Sequence, residues 1–305
     1  MTDPFRLAVL EGLSATPKAL GPKWLYDEAG SRLFGEITRL PEYDLPAREA
    51  AVMARALPAV AARLRGAAVA EFGIGSGEKS LALIEAVWPP AYVPIDISQS
   101  ALAGAAEQVR ARFDGLEVLP VVADFTQAVA MPDAFARAER RLGFFPGSTI
   151  GNFSDADAAA FLSGCRDTLG AGAHFLIGAD LVRDVEAMVR AYDDPSGVTA
   201  RFDLNLLTRI NREADGAFDP ATFRHEARWN AGDGAIEMHL VSALPQTVRV
   251  GDHEFAFAEG ESIHTESSHK YTLDGFTGLA AEGGWTVEEA FTDAGETFGV
   301  FLLSS

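Results

Sequence analysis

The sequence predicts an α/β protein in which a parallel sheet carries helices on both faces and is interrupted by a smaller α+β insertion. Between residues 46 and 182, short apolar segments alternate with amphipathic ones, as strands and helices do in such a sheet. After Leu181 the pattern changes to alternating residues separated by Gly and Asp turns, which is typical of antiparallel strands. The apolar ending FGVFLLSS suits a strand that returns to the first sheet.

The elements follow in order from these patterns. The first region starts with the helix AREAAVMARALPAVAARL, continues with strand–helix pairs and ends with the strand AHFLIGADL; the pairs are AVAEFGI with KSLALIEAVW, AYVPIDI with SALAGAAEQVRARF, EVLPVVADF with PDAFARAERRL, and FFPGSTIG with DADAAAFLSGCRDTL. The second region contains two helices, VEAMVRAYDD and GVTARFDLNLLTRINREADGAF, the latter with polar flanks. Three strand segments follow (ATFRHEARWN, AIEMHLVSAL and QTVRVGDHEFAFAEG), and then a last helix with two strands. We expect residues 46–182 plus 271–305 to form a nucleotide-type domain and residues 1–45 plus 183–270 to form the smaller domain.

Composition narrows the class of protein. The chain has 305 residues, 48% hydrophobic and 23% charged, which suits one large globular domain or two smaller ones. The formal charge of −19 argues against binding to nucleic acid or to anionic lipid. Cys165 is the only cysteine and lies in an amphipathic helix, so we expect a core residue and no disulfide. Without a leader pattern or a long apolar run, we expect a soluble, cytoplasmic monomer.

A glycine-rich turn is the first candidate binding element. Gly73, Gly75 and Gly77 follow an apolar strand and precede a helix, which places backbone N–H groups beside a ligand. Glu78 occupies the last position of the dinucleotide pattern GxGxxG, and the spacing to Lys79 does not match a P-loop. A tight turn without any ligand is the alternative.

Two more strand ends carry suitable side chains. Asp96 closes the second strand and can accept hydrogen bonds from both ribose hydroxyls. Asp124 and Phe125 close the third strand and suit the amine and the face of an adenine. Since ligands of open α/β sheets lie at the carboxyl ends of strands, the order predicts S-adenosylmethionine (SAM). Taken singly, each aspartate could instead cap a helix.

Polar residues elsewhere divide into site candidates and structural residues. Asn152 ends the fourth strand, where its amide can meet the substrate or the methyl donor. His264 and His269 lack a third ligand, so we expect no metal. We expect the alternating His225, His239 and His253 to face solvent.

Residues 22–49, PKWLYDEAGSRLFGEITRLPEYDLPARE, resemble the signature of the histidine-specific, SAM-dependent methyltransferases. The resemblance continues through FGIGSGEKS, IDIS, ADF, GSTIGNF, AYDDPSGVTARFDLNLL and IHTESSHKY, and so covers nearly the whole chain. It implies a Rossmann-like class I methyltransferase domain and a substrate domain. The implied reaction is SAM-dependent trimethylation of the α-amine of L-histidine to hercynine, on the route to ergothioneine.

The resemblance also implies roles for individual residues. Tyr26 and Tyr43 line the amino-acid site as catalytic candidates, and Asn152 and Tyr192 hold the α-carboxylate. Glu266 and Ser268 recognise the imidazole, near which Met238 packs. The implied SAM contacts are Gly73, Gly75, Gly77, Lys79, Asp96, Asp124 and Phe125.

One departure and three alternatives stay open. Asp44 stands where the family usually has the second tyrosine of PEYY, and the change is either a neutral loop substitution or one that alters the mouth of the pocket. The substrate could be another amino acid such as tryptophan, although an indole has no ring acceptor to match Glu266 and Ser268 together. A non-catalytic SAM-binding regulatory protein is the alternative from another class. By itself, TESSH could be a polar surface turn.

Overall fold

The computed structural model describes residues 3–74 and 77–305. Its α-helices are α1 (Pro4–Ser14), α2 (Glu28–Ile37), α3 (Leu45–Leu64), α4 (Glu78–Val87), α5 (Gln99–Arg112), α6 (Asp133–Ala136), α7 (Asp155–Leu169), α8 (Val185–Tyr192), α9 (Val198–Glu213) and α10 (Leu273–Glu282). Its strands are β1 (Lys18–Ala19), β2 (Ala68–Phe72), β3 (Ala91–Asp96), β4 (Glu117–Val118), β5 (Val121–Val122), β6 (Arg141–Phe145), β7 (His174–Asp180), β8 (Phe223–Asn230), β9 (Ala235–Ser242), β10 (Gln246–Val250), β11 (His253–Phe257), β12 (Ser262–His269), β13 (Thr286–Thr292) and β14 (Phe298–Ser304).

The chain divides into two compact units. The larger unit consists of Leu45–Leu181 and Tyr271–Ser305, and the smaller unit of Met1–Asp44 and Val182–Lys270. Each unit has its own hydrophobic core. Within the described residues, no helix is both long enough and apolar enough to cross a membrane.

The larger unit is built on an eight-stranded sheet in the order β13-β14-β7-β6-β2-β3-β4, with β5 also paired to β3. Strands β2 to β7 of this sheet run parallel, while β14 pairs antiparallel with both β7 and β13. Every residue of β2 is buried, because helices cover both faces of a parallel sheet. The predicted α/β class with a returning terminal strand is confirmed.

Local chemistry sets several boundaries in this unit. Ser154 caps α7 by accepting from the Asp157 backbone N–H at 3.2 Å, and Asp155 joins it in the first turn, where carboxylates stabilise a helix.

Cys165 is buried in α7, and burial raises the pKa of its thiol, so it is the core residue expected from the sequence. The predicted third strand is interrupted, and only β4 and β5 form.

The smaller unit contains a four-stranded sheet in the order β1-β12-β9-β8 and the separate hairpin β10-β11. Helices α8 and α9 pack on the β8–β9 part of this sheet. The start of α9 is held by Asp194, whose carboxylate accepts from the backbone N–H groups of Val198 at 3.0 Å and Thr199 at 2.7 Å. These hydrogen bonds outweigh burial and hold the pKa of Asp194 well below its usual range.

Candidate active site

The glycine turn of the larger unit lies between β2 and α4. Gly73 has φ of +77° and Gly77 has φ of +76°, a left-handed conformation that L side chains rarely adopt. The Gly73 N–H donates to the Ile95 carbonyl at 2.8 Å, which ties the turn to the end of β3. Gly75 lies outside the described residues.

Asp96 links this turn to the next strand end. Its carboxylate accepts from the backbone N–H of Ile74 at 3.2 Å and from that of Ser98 at 2.8 Å. Ser98, and not Asp96, caps α5 by accepting from the Ala101 backbone N–H. The helix-cap alternative for Asp96 is therefore wrong, and the carboxylate stands directly beside the glycine turn.

Phe125 covers the same turn. A Cβ atom added to Gly73 would lie 3.3 Å from the Phe125 ring, so the two residues are in close contact. Edge-on packing against Phe145 and Phe161 at 5.7 and 5.8 Å fixes the ring. The neighbouring Asp124 makes a local turn by accepting from the Thr126 N–H and hydroxyl, and it caps no helix. The turn, Asp96 and Phe125 thus form one cradle suited to a nucleoside.

Lys79 and Asn152 occupy two further positions in this unit. Lys79 forms an ion pair with Glu49, a fully buried carboxylate that also accepts from the Gly147 backbone N–H at 2.7 Å. Asn152 ends the short 3-10 helix Thr149–Asn152, which follows β6. The predicted contacts of Lys79 with SAM and of Asn152 with the α-carboxylate stay predictions.

In the smaller unit, β12 carries the predicted imidazole pair. A register shift between His264 and Glu266 marks a β-bulge opposite Met238. Beyond it, the period of two places Glu266, Ser268 and the following Lys270 on one face, and all three are buried. The surface-turn alternative is wrong, because this segment is a strand with its polar side chains directed inward.

Glu266 is in an energetically unusual position. Its Oε2 atom is buried and has no hydrogen-bond partner among the described residues. Burial and the nearby Asp203 carboxylate raise its pKa from 4.5 to about 7, against the opposing charges of Lys270 and His225. A ligand that offers an N–H group would satisfy this oxygen.

Asp203 and His225 form a buried pair beside it. His225 Nδ1 lies 2.7 Å from Asp203 Oδ2, and His225 Nε2 lies 2.8 Å from the Tyr192 carbonyl. Since both partners are acceptors, both ring nitrogens must donate, and His225 is an imidazolium. Burial alone would lower the pKa of His225, but Asp203 raises it overall. The expectation that His225 faces solvent is wrong, and so is that for His239, which is buried.

Aromatic rings line the same unit. Tyr26 packs edge-on against Phe34 at 5.4 Å and Phe202 at 5.3 Å. Tyr43 packs against Phe34 at 6.3 Å and Tyr192 at 5.9 Å, which completes a row of four rings with Tyr26 and Tyr192 at its ends. The structure thus brings the three predicted tyrosines together in one wall.

Tyr26 is partly exposed, with 38% of its surface accessible, and its hydroxyl is nevertheless perturbed. Burial, followed by the charge of Glu266, raises the pKa of Tyr26 well above the usual value. The phenol therefore remains protonated near neutral pH and can orient a ligand by hydrogen bonding.

Ser268, Tyr192 and Lys270 form a closed triangle. The Tyr192 and Ser268 hydroxyl oxygens are 2.7 Å apart, and the Lys270 ammonium donates to them at 2.9 and 2.8 Å respectively. The ammonium also lies 4.8 Å from the centroid of the Tyr192 ring. All three side chains belong to buried residues.

Asp44, which departs from the family pattern, forms an ion pair with an arginine. Arg183 donates to both Asp44 oxygens, at 3.1 and 2.8 Å. The pair is partly exposed, with 39% of the Asp44 side chain and 16% of the Arg183 side chain accessible. The substitution therefore introduces an ion pair next to Tyr43.

The sequence did not identify three residues of this region as parts of the site. They are Asp203, His225 as a buried cation, and Lys270. Lys270 lies four residues after Glu266 in an alternating segment, so its face was readable from the strand period. Asp203 and His225 are 22 residues apart in the sequence, and no local sequence pattern predicts their contact.

Over residues 5–305 the chain matches the family model described as histidine-specific methyltransferase, SAM-dependent. The chain belongs to this family. It is 39% identical over 306 residues to the histidine N-alpha-methyltransferase of Mycolicibacterium smegmatis, covering 98% of this chain and 94% of that protein. It is 40% identical over 306 residues to the protein of the same name from Mycobacterium tuberculosis, with the same coverage. It is 27% identical over 259 residues to ergothioneine biosynthesis protein 1 of Schizosaccharomyces pombe, covering 81% of this chain and 34% of that protein.

The resemblance stated from the sequence and the class I SAM-dependent methyltransferase fold are thereby confirmed. Family membership identifies SAM as the methyl donor. The cradle of the larger unit fits this donor, because it combines a left-handed glycine turn, a carboxylate beside it and an aromatic face.

Proposed function

We propose that this protein transfers methyl groups from SAM to the α-amine of L-histidine, and that three transfers give hercynine. Family membership and the names of the two mycobacterial relatives support histidine as the substrate. The name of the fission-yeast relative supports a place in ergothioneine formation. The single observation that carries the proposal is the buried, unpartnered oxygen of Glu266 beside the Ser268 hydroxyl.

The ring end of the proposed site distinguishes histidine from its competitors. The Glu266 carboxylate accepts from one imidazole N–H, and the Ser268 hydroxyl pairs with the other ring nitrogen. The indole of tryptophan has one N–H and no ring acceptor, so it would leave Ser268 unsatisfied. Sites built on such polar pairs reject a substrate lacking one partner by up to about 10⁴-fold. We therefore favour histidine over tryptophan.

The amine end must present a neutral nitrogen lone pair. SAM supplies an activated methyl group on a sulfonium, so the protein needs to orient the amine, and the proton must leave before transfer. An α-amine has a pKa near 8, which provides a neutral fraction at cellular pH. Because Tyr26 remains protonated, we assign it to orientation of the amine, with Tyr43 beside it, and we assign the released proton to water.

The remaining predicted roles belong to the same proposal. Tyr192 holds the α-carboxylate together with Asn152. Met238, buried and opposite Glu266 in the sheet, packs near the imidazole. The SAM contacts are those assigned from the sequence: Gly73, Gly75, Gly77, Lys79, Asp96, Asp124 and Phe125.

The test is a substrate screen read by mass spectrometry. Purified protein is incubated with SAM and each common amino acid in turn, and products are weighed after partial and complete reaction. We expect gains of one, two and three methyl groups on L-histidine and none on tryptophan. Methylation of tryptophan in preference to histidine would show that tryptophan, and not histidine, is the substrate. Failure to methylate any amino acid, with SAM binding intact, would favour the regulatory alternative.

A further inference from the structure

We infer that Glu49 is a positioning residue for the methyl donor: it holds the Lys79 ammonium beside the glycine turn, where that ammonium contacts the methionyl carboxylate of SAM. This inference rests on the proposed function, which assigns Lys79 a contact with SAM. The carboxylate is the part of the donor concerned, because the sulfonium and the amino group of SAM are cations. Glu49 acts on the donor through Lys79.

Glu49 connects two neighbouring strand ends of the larger unit. It lies on α3, whereas Lys79 belongs to the first turn of α4, after the glycine turn that follows β2, and Gly147 follows β6. Strands β2 and β6 pair directly and run parallel, so their carboxyl ends lie side by side. Ligands of open α/β sheets lie at this edge. Glu49 therefore reaches the part of the sheet at which the donor is expected to bind.

The surroundings of Glu49 are shaped for a carboxylate. Its side chain is fully buried; Oε1 accepts from the Gly147 backbone N–H at 2.7 Å, and Oε2 forms the ion pair with Lys79. A Cβ atom added to Gly178 of β7 would lie 2.9 Å from Glu49 Oε1, so bare backbone at that position makes room for the acid. The two oxygens thus serve two different donors, whereas a glutamine would have one acceptor oxygen.

Lys79 extends from this buried acid toward accessible space. Its side chain is 29% accessible, compared with 0% for Glu49. A Cβ atom added to Gly147, which has φ of +83°, would lie 3.4 Å from Lys79 Nζ, so the ammonium rests against bare backbone. With three N–H donors, an ammonium can contact Glu49 and a ligand carboxylate at the same time. Because fixing a lysine side chain costs rotamer entropy, fixation by Glu49 before binding strengthens the contact with the donor.

A second buried carboxyl group near Lys79 is engaged differently. Glu71 accepts from the Tyr92 hydroxyl at 2.6 Å. Burial raises the pKa of Glu71 to about 7, despite this hydrogen bond and the nearby charge of Lys79. Glu71 is therefore only partly ionised near neutral pH. The direct contact with Glu49 is the one that fixes the ammonium.

The experiment compares two ligands in the wild-type protein and in Glu49→Gln. The glutamine can still accept from the Gly147 N–H but carries no charge to pair with Lys79. The ligands are S-adenosylhomocysteine and its decarboxylated form, S-adenosyl-3-thiopropylamine, which lacks only the carboxylate. By calorimetry, we expect Glu49→Gln to weaken binding of S-adenosylhomocysteine about tenfold and binding of the decarboxylated ligand less than about twofold. Glu85→Gln, which removes an ion pair between α4 and Arg112, is the control and should leave both affinities unchanged.

A double-mutant cycle separates positioning from a structural role. In a Lys79→Met background, Glu49→Gln should weaken S-adenosylhomocysteine less than about twofold, because Lys79 transmits the effect. If Glu49→Gln does not unfold cooperatively in urea, Glu49→Asp replaces it. The aspartate keeps the charge but is shorter by one methylene group, so it should give a smaller loss that is again confined to the ligand with a carboxylate.

Three results would overturn the inference. They are equal losses for both ligands, unchanged or tighter binding of S-adenosylhomocysteine, and a full loss in the Lys79→Met background. Tighter binding is a real alternative, because the charge of Glu49 also offsets part of the attraction between Lys79 and a carboxylate. These affinities are measured without histidine, so each result can be told from a failure of the proposed function, in which the wild-type protein would not methylate histidine.

Discussion

Replacing Glu266 by glutamine should stabilise the ligand-free protein while impairing histidine turnover. The pKa of this carboxyl is raised from 4.5 to about 7. At about 1.4 kcal/mol per pKa unit, ionised Glu266 costs the folded state about 3 kcal/mol. Below pH ~4.5 the group is protonated in both states, and the cost is absent. Between the two pKa values only the folded state retains the proton, so stability falls as pH rises and the full cost applies above about pH 7.

The expected result therefore has a defined pH dependence. At pH 8, Glu266→Gln should raise the free energy of unfolding by about 2–3 kcal/mol, and near pH 4 it should have little effect. Loss of a charge-assisted hydrogen bond to the imidazole should lower kcat/KM for histidine by about 10–100-fold. Urea unfolding at both pH values and initial rates of S-adenosylhomocysteine release measure the two effects.

The neighbouring strand provides a matched control. Glu237 pairs with Ser267 of β12 but accepts from Asn230 and contacts His239, at 2.8 and 3.0 Å. Burial would raise its pKa, yet these partners lower it overall, so Glu237→Gln should destabilise the protein slightly and spare histidine turnover. If Glu266→Gln also destabilises the protein at pH 8 and turnover persists, Glu266 is an ordinary structural carboxylate and the reasoning fails.

Three other substitutions test separate parts of the assignment. Tyr26→Phe should lower kcat about tenfold, and by the same factor at every pH from 6 to 9, because the phenol does not titrate in that range. If the substitution changes the shape of the rate–pH profile instead, Tyr26 acts as the base that removes the amine proton. Asp96→Asn should weaken SAM binding about tenfold by calorimetry, with the histidine KM unaltered at saturating SAM. Asp44→Tyr removes the partly exposed pair with Arg183, so it should cost less than ~1 kcal/mol in urea unfolding and change histidine turnover less than about threefold.

The fold could be predicted because the residues buried in strands and helices form regular apolar patterns in the sequence. The fully buried strand β2 is apolar at four of its five positions, all except Glu71, and the amphipathic helices around it keep their own period. The terminal strand β14 was readable as apolar, and its place beside β7 completes the sheet. These features depend on local composition, which is visible without knowledge of distant partners.

The candidate site was less readable because its side chains depend on contacts across the chain. Along β8, the period of two puts His225 on the same face as the buried Phe223 and Ala227, so its inward direction could be predicted, but its partner Asp203 on α9 could not. Glu266 and Ser268 read as a surface turn until the bulge after His264 directs them inward. The resemblance to the family supplied these two residues. The direction of Lys270 follows from the strand period, whereas the position of Asp203 became apparent only in the structure.

The buried charges of the smaller unit are better explained by a ligand than by stability. Asp203 and Glu266 each retain a buried oxygen without a hydrogen-bond partner in the described part of the chain. Replacing such groups with apolar side chains is often neutral or stabilising, so folding alone gives no reason to keep them. A bound ring N–H would satisfy Glu266 and offset part of the cost of burying its charge. The cost of burying this carboxylate and the proposed preference for histidine then have one physical origin, the position of Glu266.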